Sequence, residues 1–335
     1  MIKISDIFDK HKKNKIENKE KAKDLISKTT DAPVSYSEGD QESVSLQVIN
    51  ITTNLIDLAL KIYKPNALNL DLINKLKNCI NMLVEFKNLE DDFLKVFFKD
   101  YPEDSTYLVY HIANTSILSL EVAKTLKYDN ERLFYLGLGA FLHKIGLTTI
   151  LDITLEDSQL EQAKSEKIKT HPLVGSKILK EFEKEFDSTT IKIVEQSFER
   201  IDKSGYPLGI DEPIPEAQIV NIVQVYESLV HKRNYREKFN PLKAMKIIIE
   251  DKGFVNNKIK KALIERVGFY PPNTLVLLNT KEEAIVIATN FKNPLRPIVK
   301  KISTQNKIQI TEPKIINLAK DTHFYIEKIL TQNGQ

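Results

Sequence analysis

The chain has 335 residues, 28% of them charged, and a formal net charge of +3. That length accommodates two or three compact units, and so even a charge balance lacks the basic footprint of a general nucleic-acid binder. Cys79 is the only cysteine, so no intramolecular disulfide can form. With no uninterrupted apolar run of about 18 residues and no signal-peptide pattern, a cytoplasmic protein without membrane insertion is expected.

Residues 1–42 include DKHKKNKIENKEKAKD, a run with many charges and little to bury, and are expected to be disordered. His11 lies within it as a solvated side chain. PVSYSEGDQES follows as a polar linker. Residues 43–103 read as an N-terminal helical unit. Val44, Leu46, Val48, Ile49, Ile51, Leu55, Leu58, Ala59 and Ile62 recur near the helical period, and Pro65 ends that helix. A second helix is predicted over 70–86, and a third holds Phe93, Leu94, Val96 and Phe97. Cys79 is read as a small apolar packing residue.

Residues 104–270 read as an all-α domain, with helices predicted over 105–127, 130–144, 157–168, 172–184, 188–201, 215–231, 240–251 and 256–267. Beyond Tyr270-Pro271-Pro272 the texture changes. TLVLLN, AIVIATN and IVKKIS are short β-rich runs between polar turns, so 271–335 is expected to form a small antiparallel sheet. The fold class is therefore mainly α with a C-terminal β appendage.

His111, His143, His171 and His231 fall inside the helical region. His143 ends the apolar stretch FYLGLGAFLH, and His171 precedes Pro172 at a helix start. A buried histidine is most often structural, but imidazoles on separate helices also suit transition metals, with carboxylates completing a binuclear site. In ERIDKSGYPLGI, Gly205-Tyr206-Pro207 forms a turn with an aromatic anchor.

These stretches together resemble the HD-GYP family, bacterial phosphodiesterases that hydrolyse cyclic di-GMP. LGLGAFLHKIG is similar to the family's apolar helix running into His-Asp-Ile-Gly-Lys, and THPLVGSKIL to its His-Pro-x-x-Gly segment. Residues 199–229 resemble the long GYP signature and its following helix, HKRNYR that helix's basic ending, and GFYPPNTLVLL with NPLRPIV the family's β extension. The resemblance runs from His111 to Pro297 and implies an HD-type helical core.

It also implies two or three metal ions held by histidines and aspartates, and here the chain departs. His111, His143 and His171 match ligand histidines. The bridging aspartate falls on Lys144, a histidine pair on Ser197 and Phe198, and the late aspartate on Gln224. The lysine after Ile-Gly falls on Leu147. By the family's roles, His111 and His143 serve one metal and His171 the other. With every carboxylate ligand replaced, no metal cofactor is expected. Lys144 is read either as a fixed cation, pairing with Glu199 or a phosphate, or as a solvated helix-end lysine.

The resemblance also places Arg233, Tyr235 and Arg236 near the phosphates of cyclic di-GMP and Glu227 near the nucleotide. A solvated helix end is the alternative for the arginines, with His231 exposed close by. The intact Gly205-Tyr206-Pro207 loop serves either the turn itself or protein contacts. The expected function is a catalytically inactive signalling scaffold with a protein partner. The alternatives are a non-hydrolysing sensor of cyclic di-GMP and a residual metal-dependent phosphodiesterase.

Overall fold

The computed structural model describes residues 46–86, 90–102, 107–150, 165–233, 236–304 and 313–330. The charged segment 1–42 and Tyr235 lie outside these residues. Twelve helices are described: α1 Leu46–Ile62, α2 Leu70–Glu85, α3 Glu90–Phe97, α4 Tyr107–Thr125, α5 Asn130–Leu142, α6 Leu147–Ile150, α7 Ser165–Lys169, α8 His171–Lys180, α9 Ser188–Gln196, α10 Pro215–Val230, α11 Pro241–Glu250 and α12 Asn257–Val267. Five strands follow: β1 Leu275–Leu278, β2 Glu283–Ala288, β3 Ile298–Lys301, β4 Ile315–Asn317 and β5 Ile326–Ile329.

Local chemistry sets the helix starts. Asn69, Asp129, Asp187, Asn240 and Asn256 each accept a backbone N–H of the following first turn. Proline stands in the first turn of α8, α10 and α11, where its missing N–H costs nothing.

α4 is the central element. It is buried on every side from Leu108 to Ala123 and packs against α5, α10, α1 and α12. The N-terminal helices share a core with the helices that follow: α1, α2 and α3 contribute Leu55, Ile80 and Phe97 to the same hydrophobic core as α4, α5 and α8–α12. The Tyr63 hydroxyl donates to the Phe141 carbonyl, tying the end of α1 to the end of α5. By length and mean hydropathy the stretch Asn130–Ile150 could cross a membrane, but 72% of that window is buried against protein.

The sheet is antiparallel throughout, in the order β4-β3-β2-β1-β5. It closes over its own core of Val276, Leu278, Ala284, Val286, Val299, Ile316 and Leu318. The three predicted runs are β1, β2 and β3. β4 has only three residues, and β5, IEKI, carries two charges in its middle, so neither shows an apolar run in the sequence. Arg266 of α12 joins the two parts: it pairs with Glu121 of α4 at 3.0 Å and lies over the Phe291 ring at 5.4 Å.

Two boundaries differ in a way that matters. α9 ends at Gln196, not at 201, because Ser197 caps it and the chain turns into the 199–210 loop. The helix predicted over 130–144 ends at Leu142, and residues 143–146 form a tight turn leading into α6, where no helix was expected. There, a Cβ on Gly146 would sit 2.0 Å from the His171 carbonyl oxygen and 2.6 Å from the Gly175 nitrogen. Only a glycine lets the turn after His143 touch the first turn of α8. Gly146→Ala should therefore destabilise the fold by about 3 kcal/mol or more, read as a lowered Tm or denaturation midpoint. A change within about 0.5 kcal/mol, the range of neutral surface substitutions, would mean that the two segments are not in backbone contact.

Candidate functional site

Three helix ends bring three histidines together. His111 projects from the first turns of α4, His143 caps the C-terminus of α5, and His171 opens α8. All three are buried. The His111 and His143 ring centroids are 5.5 Å apart. The Phe198 ring lies 6.1 Å from His143 and 4.6 Å from His171.

Each ring is held in one tautomer. His143 Nδ1 lies 2.7 Å from the Ala140 carbonyl and His171 Nδ1 lies 2.8 Å from the Ile168 carbonyl. A carbonyl only accepts, so both Nδ1 atoms carry the proton. His111 Nδ1 bonds the Glu227 carboxylate, which imposes the same arrangement. The three Nε2 lone pairs are buried with no hydrogen-bond partner. Burial and the charge of Lys144 push His171 down to about 3 and His143 well below its ordinary value. His111 is pushed down to about 4, chiefly by burial, which outweighs the upward pull of Glu227. At neutral pH the cluster is three uncharged imidazoles.

The replaced ligand positions have acquired other partners. Gln224 Nε2 donates to the Ser197 carbonyl at 2.9 Å, joining α10 to the end of α9, while Ser197 Oγ donates to the Val194 carbonyl at 3.4 Å within the last turn of α9. Phe198 stacks on Tyr206 at 5.1 Å. The Lys144 ammonium lies 5.5 Å from the centre of the Phe198 ring. Leu147 is buried.

The two-metal centre implied by the resemblance does not fit these residues. Among the described residues, no group of three His, Cys, Asp or Glu side chains is arranged to hold a metal ion. A bridging carboxylate would hold two cations about 3.5–4 Å apart, and Lys144 brings a positive charge to that place. At about 4 Å and an effective dielectric near 20, an ammonium and a divalent ion repel by roughly 8 kcal/mol.

Glu199 organises the loop beyond. Its buried carboxylate accepts the backbone N–H groups of Leu208, Gly209 and Ile210 at 2.6, 3.2 and 3.2 Å, and Asn221 donates to its carbonyl at 2.6 Å. A Cβ on Gly205 would meet the Arg200 nitrogen at 2.5 Å, so the turn demands glycine. The Tyr206–Pro207 peptide bond is cis. Tyr206 packs edge-on to His171, at 6.3 Å, and so faces the histidines. Within Gly205–Ile210 the exposed residue is Leu208, at 51%, and Asp202, Lys203 and Ser204 before it are exposed as well.

The nucleotide contacts read from HKRNYR are corrected. Arg233 and Arg236 are buried. Arg233 donates to Glu227 at 2.9 Å and lies over the Tyr107 ring at 4.6 Å. Arg236 donates to the carbonyls of Leu229, Glu237 and Ser228, closing the C-terminus of α10. The guanidinium groups satisfy an internal carboxylate and orphaned helix carbonyls, so neither the phosphate role nor a solvated helix end describes them. His231 is also buried, not exposed. It stacks on Tyr101 at 4.5 Å, and its ring nitrogens lie 2.9 Å from the Glu227 carbonyl and 2.7 Å from the Phe97 carbonyl. Glu227 is wholly buried and bonded by His111, Arg233 and Tyr101, with His231 at 3.1 Å. Burial pushes this carboxyl up, but His111, Arg233 and His231 together hold it well below the usual range. Tyr101 was not anticipated, because a tyrosine before a proline carries no sequence signal of such a partner.

A family profile described as "HD domain" matches residues 99–256. A second, "KOW domain associated with HD domain", matches 275–334. The chain is 25% identical to the cyclic di-GMP phosphodiesterase PA4108 of Pseudomonas aeruginosa over 218 residues, which is 64% of this chain and 52% of that one. It is 26% identical to the cyclic di-GMP phosphodiesterase PdeB of Borreliella burgdorferi over 247 residues, 72% of this chain and 64% of that one. Residues 99–256 thus form an HD domain, and the relatives are of the HD-GYP type. Among solved structures, Bd1817, a HDG"Y"P protein from Bdellovibrio bacteriovorus, shares the fold with a TM-score of 0.53 at 22% identity, over 68% of this chain and 74% of that one. The chain thus spans about half to two thirds of the length of these two curated relatives.

These relatives overturn the expectation of an inactive scaffold and of a non-enzyme. They are named as phosphodiesterases.

Removing one partner of the buried cluster should be costly. Glu227→Gln leaves the Arg233 charge uncompensated and should cost about 3–5 kcal/mol in urea denaturation; a loss below about 1 kcal/mol would mean that the cluster is solvated. The histidines set a pH dependence. His111 and His171 have folded values of about 4 and 3 against an ordinary 6.5, so the unfolded chain takes up protons first. Their contribution is complete above pH 6.5 and is lost as pH falls toward 4 and then 3. The Tm should drop from pH 7.5 to pH 5, and less steeply in His171→Asn. Equal slopes would show that His171 is not buried neutral.

Proposed function

We propose that the chain is a cyclic dinucleotide phosphodiesterase, with cyclic di-GMP the first candidate substrate, acting where the three imidazoles and Lys144 converge. The observation that carries this reading is the conjunction of phosphodiesterase relatives across the HD domain with a cleft of neutral imidazoles beside a lysine. The chemistry follows from these residues. Lys144 offers a point charge to the non-bridging oxygens of a phosphodiester. His111 Nε2 takes the proton of a water that attacks phosphorus, Glu227 on the opposite nitrogen stabilises the imidazolium that forms, and as the P–O bond to the departing ribose oxygen breaks that oxygen takes the proton back. The Phe198 and Tyr206 rings lie against the histidines and must part to admit a sugar-phosphate. Tyr206 belongs to the loop held by Glu199, so the loop governs access.

The test is incubation of purified full-length chain with cyclic di-GMP, separating linear and mononucleotide products chromatographically. Turnover is expected, and His111→Ala should lower kcat/KM by about 100-fold or more. Neither binding nor turnover of cyclic di-GMP or other cyclic dinucleotides would overturn the proposal.

A further inference from the structure

The outward face of the sheet carries side chains that a solvated face ordinarily lacks. In β1 and β2, Val276, Leu278, Ala284 and Val286 point into the sheet's own core. Alternation therefore puts Leu275, Leu277, Glu283 and Ile285 on the other face. A sheet with one face in water reads apolar inward and polar outward. Here Leu275, Leu277 and Ile285 are outward, partly exposed, and part of neither hydrophobic core. Among the described elements, no helix makes more than marginal contact with a strand.

The registers arrange this face in two rows. Leu275 lies opposite Ile285 of β2, and its carbonyl accepts the Leu330 N–H at 2.8 Å from the β5 side. The first row, Ile285, Leu275 and Leu330, is apolar throughout. Leu277 lies opposite Glu283 of β2 and Lys328 of β5. The second row is thus a leucine with an acid about 5 Å to one side and a lysine about 5 Å to the other. Their chain neighbours are paired within the sheet, Glu327 with Lys281 and Glu282 with Lys301. Glu283 and Lys328 have no such partner among the described residues.

Both rows are complementary to themselves. Half a turn about an axis along β1 lays a second copy's β1 over the first, its β2 over β5 and its β5 over β2. Leu275 and Leu277 then meet their own counterparts, Ile285 meets Leu330, and each Glu283 faces a Lys328. Stacked sheets lie about 10 Å apart, a gap that a lysine and a glutamate span together. We propose that this face is an interface between two copies of the chain, formed by an apolar seam along β1 and two symmetric pairs of Glu283 with Lys328. A two-fold contact uses one patch twice, and a row with opposite charges at its ends suits that use. A partner of uniform charge would leave one end of the row against its like. The contact is independent of the reaction proposed above.

The experiment is light scattering of the full-length chain over a concentration series. The wild type should pass from one to two chains of 38.5 kDa as concentration rises, since a small patch holds reversibly. Leu277→Lys sets two ammonium groups against each other on the axis and should leave a monomer throughout. Lys328→Glu opposes two acids at each end of the row and should raise the dimer Kd about tenfold or more. Glu283→Lys combined with Lys328→Glu inverts the row and should restore dimerisation. Circular dichroism checks that each variant is folded, and hydrogen exchange needs no variant. In the wild type, protection of residues 275–278 and 326–330 should rise with concentration while that of α4 stays constant. A monomer at every concentration would overturn the inference. Protection of these strands throughout would then assign the face to a segment of the same chain, and its absence to a different protein. A dimer that survives Leu277→Lys would overturn it too, as would a folded double variant that stays as weak as Lys328→Glu.

Discussion

The Glu227 carboxylate is the interaction on which the rest of the site depends. It is fully buried, and a lone charge there would be strongly destabilising. Three elements supply what it needs: His111 from α4, Arg233 from the segment after α10, and Tyr101 from the segment after α3. The same cluster ties His231 to the Phe97 carbonyl. Meeting the requirements of one acid thus fixes the N-terminal helices against the HD helices. It also fixes the tautomer of His111 and with it the direction of the Nε2 lone pair. An ordinary demand of folding, that a buried charge be paired, does the orienting that a catalytic or ligating imidazole requires.

A second carboxylate does comparable work on the opposite side. Glu199 gathers three loop amides, and Gly205 allows the loop backbone to lie on residues 199 and 200. The outcome is that Tyr206 is turned toward Phe198 and His171 and not toward solvent. The loop is thereby a wall of the site, and its architectural role is visible atom by atom. Gly146 completes the arrangement by letting the turn that carries Lys144 press against the start of α8. The site is assembled from helix ends and turns on a rigid helical scaffold, where small backbone differences reposition whole side chains.

The charge logic of the cleft is consistent from one residue to the next. Neutral imidazoles, a single ammonium and an aromatic ring stand where the family's architecture places paired divalent ions and carboxylates. Each change alone would be costly in a two-metal centre, yet together they leave the net charge low and the buried polar atoms of Ser197 and Gln224 bonded. The relatives' names direct attention to phosphodiesters, and the cleft retains a phosphate's two usual requirements, a positive charge and a proton acceptor.

Much of this was legible in the chain itself. The helical period placed most of the helices, because a buried face recurs whatever it packs against. The ordered matches from His111 through the GYP loop identified the family, because ligand, turn and capping residues must keep their spacing. Lys144 and Phe198 declared themselves as departures for the same reason. Partners across the fold were not legible. Nothing local distinguishes an arginine that reaches a phosphate from Arg236, which closes its own helix, or from Arg233, which neutralises Glu227. Nothing in a Tyr-Pro pair announces a bond to an acid on α10, and neither the three residues of β4 nor the charged middle of β5 forms an apolar run. Sequence determines which groups are present and how they are spaced along an element. Which of them meet is decided by the burial that unites distant elements, since only there does an unpaired charge or lone pair become costly enough to demand a specific neighbour.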